Sequence, residues 1–100
     1  MHIISMRRLR EFWEQHAGAE SPLRAWYSHV EQAKWQNFAQ VRQDFPTADL
    51  VQRLTVFNIG GNHYRLVARI EYQQQKVYIR AVMTHAEYDK GKWKNDEWYE

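Results

Sequence analysis

The chain reads as an α+β domain in which N-terminal helices pack on one face of a small antiparallel sheet formed by the C-terminal half. Three observations carry this reading. Between residues 7 and 45 apolar side chains recur at helical spacing. From Leu50 the period changes to two and stays so to Thr84. Two polar or glycine-rich breaks, Gly60-Gly61-Asn62 and Gln73-Gln74-Gln75, divide that second half into strands. At 100 residues, 44% of them hydrophobic, the sequence suits a single domain over residues 1–100 with its own core.

Each element has a local reason. Ile3-Ile4-Ser5-Met6 reads as a first strand or strand fragment. Leu9, Phe12, Trp13 and His16 then fall at i, i+3, i+4 and i+7, one face of a helix, which makes His16 a packed core histidine. Ala17-Gly18 ends that helix with a glycine cap. Ser21-Pro22 starts the next, with Ser as N-cap and Pro in the first helical position. Its stripe is Leu23, Trp26, Tyr27, Val30, Ala33 and Lys34, and it extends to about Asn37. A short helix carrying Phe38 and Val41 continues to Phe45, where Pro46 stops it.

In the second half, Leu54 and Val56 alternate with Arg53, Thr55 and Phe57. Gly60-Gly61-Asn62 supplies a three-residue hairpin turn that aligns Val56 with Leu66. The following strand places Tyr64, Leu66, Ala68, Ile70 and Tyr72 on one face and Arg65, Val67, Arg69 and Glu71 on the other. The last strand places Val77, Ile79, Ala81 and Met83 on one face and Tyr78, Arg80, Val82 and Thr84 on the other. Pairing Tyr72 with Val77 sets Ile70 against Ile79 and Ala68 against Ala81, so apolar meets apolar. It also sets Arg69 against Arg80, an unfavourable pair that Glu71 or an external anion could relieve. The arginine-bearing face is then open to a ligand.

Composition excludes several classes. There is no cysteine, so disulfides and thiolate metal sites are absent. No apolar stretch approaches the ~20 residues of a membrane span. The apolar run Met1–Met6 precedes Arg7-Arg8, the reverse of a signal peptide, so a cytoplasmic location and no membrane partner are expected. Five scattered histidines show no metal-ligand spacing, and Gly60-Gly61 does not lie between a strand and a helix as a phosphate loop would. No Ser-centred nucleophile signature is present. No metal and no cofactor are expected. The formal charge is only +2, which rules out indiscriminate polyanion binding. Residues 62–94 carry most of the clustered positive charge, while the acids are spread along the chain with only a modest cluster at Asp96-Glu97 and Glu100.

The segment Met83 to Lys94 concentrates the chemistry. An apolar run ends in a His, a Tyr, three Lys and a Trp, which together can move a proton, hold a phosphate and stack on a base. His85 is the candidate general acid or base, weighed against a surface His at a strand end. Tyr88 can stack on a base or donate a proton, or simply pack a short helix on the sheet. Lys90, Lys92 and Lys94 can hold phosphates or remain solvated. Arg65 and Arg80 suit bidentate phosphate contact, against a salt bridge with Glu71 or with an acid of the helices. Arg69 shares their face. Asn62 and His63 close the glycine turn, with His63 in reserve as a second catalytic group. Trp93 and Trp98 pin the tail to the core.

Val56-Phe57-Asn58-Ile59-Gly60-Gly61-Asn62, Tyr64-Arg65-Leu66, Val77-Tyr78-Ile79-Arg80 and Thr84-His85-Ala86-Glu87-Tyr88-Asp89-Lys90, in that order, resemble the HigB toxins of type II toxin–antitoxin modules. The likeness covers essentially the whole chain. It implies the small RelE/ParE-type fold and a ribosome-dependent endoribonuclease that cuts mRNA. It also implies a HigA-like helix-turn-helix antitoxin as partner, through which alone the protein meets operator DNA. Thr84-His85, Tyr88, Lys90 and Arg65 match positions that the family keeps. On the chemistry of the residues, His85, Tyr88, Arg65 and Lys90 form the expected catalytic set. Arg80, Arg69, Lys92, Lys94, Asn62 and His63 are the expected RNA contacts. Cleavage without metal uses the 2′-OH of the RNA as nucleophile, and for that chemistry the segment is one proton-transfer group short. A binding module of the same fold, of the ParE kind that inhibits gyrase, is the competing reading.

Overall fold

The computed structural model describes residues 1–100. Its elements are β1 (His2–Ile4), α1 (Met6–Gln15), a 3-10 turn at Ala17–Ala19, α2 (Glu20–Gln32), α3 (Phe38–Asp44), β2 (Asp49–Val51), β3 (Leu54–Ile59), β4 (Tyr64–Glu71), β5 (Lys76–Thr84), α4 (His85–Lys90) and a 3-10 turn at Lys92–Asn95. The α+β class stands. The sheet, however, is mixed: its order is β1-β5-β4-β3-β2, and β1 lies parallel to β5 while the other pairs are antiparallel.

The helix boundaries shift for identifiable reasons. α1 begins at Met6, one residue after Ser5, whose left-handed φ of 78° turns the chain from β1 into the helix. α1 ends on His16 in a non-helical conformation, and Gly18 sits within the 3-10 turn rather than capping the helix. That turn feeds directly into α2, so Pro22 falls in the first helical turn, where its missing N–H costs nothing, and Ser21 does not cap. α2 stops at Gln32, short of the expected Asn37, because Ala33 turns extended and delivers Trp35 to the core at 3% exposure. Asn37 instead caps α3, its side chain accepting from the Gln40 amide at 3.0 Å.

The strand registers differ from the alternation pattern in two instructive ways. β3 and β4 pair Ile59 with Tyr64, leaving a four-residue loop, so Val56 faces Val67 and Phe57 faces Leu66, one residue from the expected alignment. Gly60 and Gly61 are both left-handed, at φ 61° and 69°, and the loop continues through Asn62 and His63. β4 and β5 pair Ile70 with Val77 and Arg69 with Tyr78, two residues from the expected register and therefore with the same facing. A bulge follows: Ala68 opposes Ile79 but Val67 opposes Ala81, so Arg80 is the extra residue. The bulge inverts the alternation. Val82 packs with the helix-side core, and Ala81 and Met83 turn to the opposite face. Arg69 and Arg80 are thus never cross-strand partners. Arg69 pairs with Glu71 at 2.9 Å, and Arg80 with Asp96.

Both faces of the sheet are covered. On the helix side Leu9, Trp13, Leu23, Trp26 and Val30 pack on Phe57, Leu66, Ile70 and Ile79. Burying Phe57 completely contributes about 1.5–3 kcal/mol. On the other side Leu54, Val56, Val67 and Met83 pack under Trp93, with Trp98 and Tyr99 beside them. The expectation that Trp93 and Trp98 hold the tail is met. The arginine face is therefore largely roofed by the tail instead of standing open.

Candidate active site

β5 ends by delivering Thr84 as the N-cap of α4, and this cap is reciprocal. The Thr84 hydroxyl accepts from the Glu87 amide at 3.2 Å, while Glu87 Oε1 accepts from the Thr84 amide at 3.0 Å and from its hydroxyl at 3.1 Å. The pattern fixes the first turn, where His85 occupies the first helical position. The His85 amide also donates to the His63 carbonyl at 3.0 Å, tying α4 to the β3–β4 loop. His85 Nδ1 lies 3.0 Å from Asp89 Oδ2 one turn later, with the His side chain 42% exposed. A carboxylate on Nδ1 orients the imidazole and leaves Nε2 directed at whatever approaches.

Tyr88 stands three residues from His85 on the same short helix, close enough for the side chains to be neighbours. Its ring stacks on Trp93 at 5.1 Å and 10°, and the Arg65 guanidinium lies 5.4 Å from its centroid. The Tyr88 ring is thus flanked by the protein's own groups, while its hydroxyl remains available. Burial pushes that hydroxyl above the usual tyrosine range, Asp49 and Asp89 push the same way, and Arg65 opposes them. Tyr88 is therefore a protonated donor at neutral pH.

Arg65 is buried at 7% exposure, and its hydrogen bonds are internal. One terminal nitrogen donates to the carbonyls of Asn62 and Tyr64 at 3.2 and 3.0 Å, the other to Asn62 Oδ1 at 2.6 Å. Arg65 and Asn62 together brace the β3–β4 loop behind Tyr88. His63 is exposed in that loop, its ring 6.2 Å from Tyr64. Lys90 and Lys92 are exposed and line a hollow of about 340 Å³ with Glu87, Met83 and Trp93. Lys94 is exposed, with Nζ 5.7 Å from the Trp93 ring centroid.

The remaining two arginines are held by carboxylates, although Arg80 still borders a hollow of about 190 Å³ with Lys92 and Trp93. Arg80 is held by Asp96 through Nε at 3.1 Å and Nη2 at 2.9 Å, with its guanidinium 4.1 Å from the Trp98 centroid. Arg69 lies five positions along β4 from Tyr64, about 17 Å away at roughly 3.3 Å per residue, and is bound to Glu71. His85, Tyr88, Arg65, Asn62, His63, Lys90 and Lys92 come together at one end of the sheet; Arg69 does not join them.

Three residues that the sequence reading left out belong to this end of the molecule. Asp89 was signalled by its i, i+4 spacing from His85, and Glu87 by the Thr84-x-x-Glu87 pattern of a capping box. His16 is the third, and here the structure overturns the core assignment. Its ring is only part-buried, stacked on Phe12 at 4.4 Å and 24°, and it lines a cleft of about 570 Å³ with Arg8, Gln15, Val82 and Glu87. It stays on the stripe, stacked on Phe12 one turn earlier, but as the C-cap of α1 it stands where the stripe runs out of the core and into the cleft. No group of three or more His, Cys, Asp or Glu lies close enough together to hold a metal ion.

Comparison with known proteins bears on this site. Residues 19–91 match the HigB toxin family, described as the RelE-like toxic component of a toxin–antitoxin system. The chain is 35% identical over 92 residues to the mRNA interferase toxin HigB of Escherichia coli K12, covering 89% of this chain and 88% of that protein. The mRNA interferase HigB of Shigella flexneri matches to the same extent. The mRNA interferase HigB of Escherichia coli O6:H1 is 27% identical over 93 residues, 90% of each chain.

Proposed function

The chain belongs to the HigB toxin family, the RelE-like toxic components of toxin–antitoxin systems, and from that premise we propose that it is an mRNA interferase whose acid/base pair is His85 and Tyr88. The relatives that carry the name mRNA interferase match over 89% of this chain, and the family match over residues 19–91 takes in Arg65, His85, Tyr88 and Lys90. We place the protein, as one domain, in the cytoplasm, acting on ribosome-engaged mRNA and restrained by a HigA-like helix-turn-helix antitoxin. No helix is long and apolar enough to cross a membrane.

The observation that carries the reading is the His85–Asp89 contact, with Tyr88 three residues from His85 on one short, doubly capped helix. The 2′-oxygen of the RNA attacks the adjacent phosphorus, forming the O2′–P bond as the P–O5′ bond breaks. His85 Nε2 takes the proton from the 2′-OH, its ring held by Asp89. The Tyr88 hydroxyl gives its proton to the departing 5′-oxygen. Lys90 and Lys92 neutralise the charge that grows on the phosphorane oxygens, with Lys94 and His63 at the margins. Arg65 acts through position: it braces the Asn62 loop and one side of Tyr88. Arg80 serves the fold through Asp96, and Arg69 lies outside the RNA path.

The test is His85→Ala, assayed by growth arrest and by mapping of mRNA 5′ ends after induction. Cleavage is expected to fall by about 10²–10⁴-fold, the range for loss of a general acid or base, with the thermal midpoint little changed. A folded His85→Ala protein that stays fully toxic and leaves mRNA intact would support the competing reading, a toxin that binds its target without cutting it.

A further inference from the structure

Helix α4 carries both members of the acid/base pair, yet it does not hold itself in place. It has six residues and buries none of them, and a helix much shorter than ~12–15 residues does not persist without outside contacts. Its two ends are held by different means. The first turn is fixed by the reciprocal cap of Thr84 and Glu87 and by the His85 amide on the His63 carbonyl, so that end serves His85. The last turn is held by Trp93, and both contacts fall on Tyr88. The indole stacks on the phenol at 5.1 Å and 10°. Its Nε1 donates to the Tyr88 carbonyl at 3.1 Å, an oxygen that also accepts from the Gly91 amide at 3.1 Å. Trp93 is itself held. It is 8% exposed and packs with Leu54, Val56, Val67 and Met83 of the sheet. Tyr99 meets it edge-on at 5.8 Å, and the Tyr99 carbonyl accepts from the Arg53 amide at 3.1 Å, at the turn between β2 and β3.

We propose that Trp93 is a positioning residue for the reaction, acting through Tyr88 to hold its hydroxyl on the departing 5′-oxygen. The inference rests on the donor role of Tyr88 in the ribonuclease reading above and extends that site into the 3-10 turn after α4. The phenol oxygen lies at the far end of the ring, so a small tilt of the side chain at Cα carries it off the oxygen it must protonate. A proton donor works within about 2.6–3.2 Å of its acceptor, and a misplacement of about 1 Å can cost about 10²-fold in rate. A six-residue helix leaves that tilt free. A flat indole against the phenol, with the Arg65 guanidinium 5.4 Å from the same ring, removes it. The hydrogen bond to the Tyr88 carbonyl fixes the backbone from which the ring projects. Trp93 also borders the hollow of Lys90 and Lys92, which makes the kinetic split decisive. A group that acts through Tyr88 changes kcat, whereas one that grips the RNA changes KM.

The test is a double-mutant cycle on the cleavage of ribosome-engaged mRNA. It measures kcat and KM for the wild type, Trp93→Leu, Tyr88→Phe and the double variant Tyr88→Phe/Trp93→Leu, with a thermal melt of each. Leucine fills part of the space among the sheet residues but neither stacks nor donates. Trp93→Leu should lower kcat by about 10- to 100-fold and leave KM in place. Trp93→Phe keeps a ring on the phenol and loses only the hydrogen bond, so its deficit should be about 2- to 10-fold. With the hydroxyl gone nothing remains to be positioned, so adding Trp93→Leu to Tyr88→Phe should cost nothing more. The full Trp93→Leu loss in both backgrounds overturns the proposal, as does a wild-type kcat in Trp93→Leu. A raised KM at constant kcat overturns it too, by making the indole an RNA contact. Where Trp93→Leu does not melt cooperatively, Trp93→Phe carries the same comparison in the two backgrounds. Wild-type activity in Tyr88→Phe is a different failure: it removes the donor role, and the positioning role with it.

Discussion

Tyr88 and His16 show how a single side chain takes its role from its neighbours. Tyr88 carries a phenol that could stack, donate or merely pack. Trp93 on one side and Arg65 on the other leave its hydroxyl as the free group. Tyr88→Phe preserves the ring contacts and removes only the proton. Cleavage should fall by about 10²–10⁴-fold while the melting temperature barely moves. Because burial raises the hydroxyl above its usual value of 10.0, it is fully protonated throughout the neutral range. The deficit of the variant should therefore be constant between about pH 6 and 8. A deficit that changes with pH in that window would assign the proton to another group. His85 was legible because its neighbours in sequence are also its neighbours in space. His16 was not, since periodicity placed it on the apolar stripe, where it does stack on Phe12, and does not tell that the stripe leaves the core at the end of α1.

At the scale of elements, β5 and the tail decide what the site can see. The alternation of β3, β4 and β5 was readable, and so was the capping box that opens α4. The tail was readable in part: its tryptophans were expected to pin it, but the ion pair that fastens it was not. Two features were hidden. A bulge leaves no mark in hydrophobic periodicity when apolar residues follow it on both faces, as Ala81, Val82 and Met83 do after Arg80. The parallel pairing of β1 with β5 joins segments more than seventy residues apart, and no local signal encodes it. The tail is clasped to the sheet by Arg80 and Asp96. Burial pulls the Asp96 carboxyl upward, but the Arg80 hydrogen bonds, the Trp98 amide and the charges of Arg80 and Arg8 outweigh it, holding the group below its usual 3.8. A depressed carboxylate stabilises the fold above its unfolded value and loses that contribution as pH falls through the folded one. Asp96→Asn should therefore cost about 1–3 kcal/mol near pH 7 and progressively less below about pH 4, read as denaturant midpoints at each pH. Equal destabilisation at both ends would mean that the clasp is steric.

For the molecule as a whole, the net charge is small, at +2. Of the groups expected to meet RNA, Arg65, Arg69 and Arg80 are all engaged within the chain, and the free cations beside the site are Lys90 and Lys92. Two neutralised phosphates imply a shallow salt dependence for single-stranded RNA, with log K falling by about 1.4 per log unit of salt at ~0.7 per phosphate. Filter binding between about 50 and 200 mM salt measures this slope, and a value several times steeper would reveal a basic surface beyond the two lysines. Such weak intrinsic grip fits a protein that relies on the ribosome to present its substrate. The bulge at Arg80 has a genetic counterpart. Removing that one codon leaves the reading frame intact and takes out the extra residue, so Ile79 opposite Ala68 runs straight on to Ala81 opposite Val67 and β5 keeps its phase. Val82 would still face the helices and Met83 the tail, but the tail would lose the partner of Asp96. A three-nucleotide deletion there should therefore leave a folded toxin with a loosened tail, read as a lower denaturant midpoint, whereas a frameshift abolishes the protein.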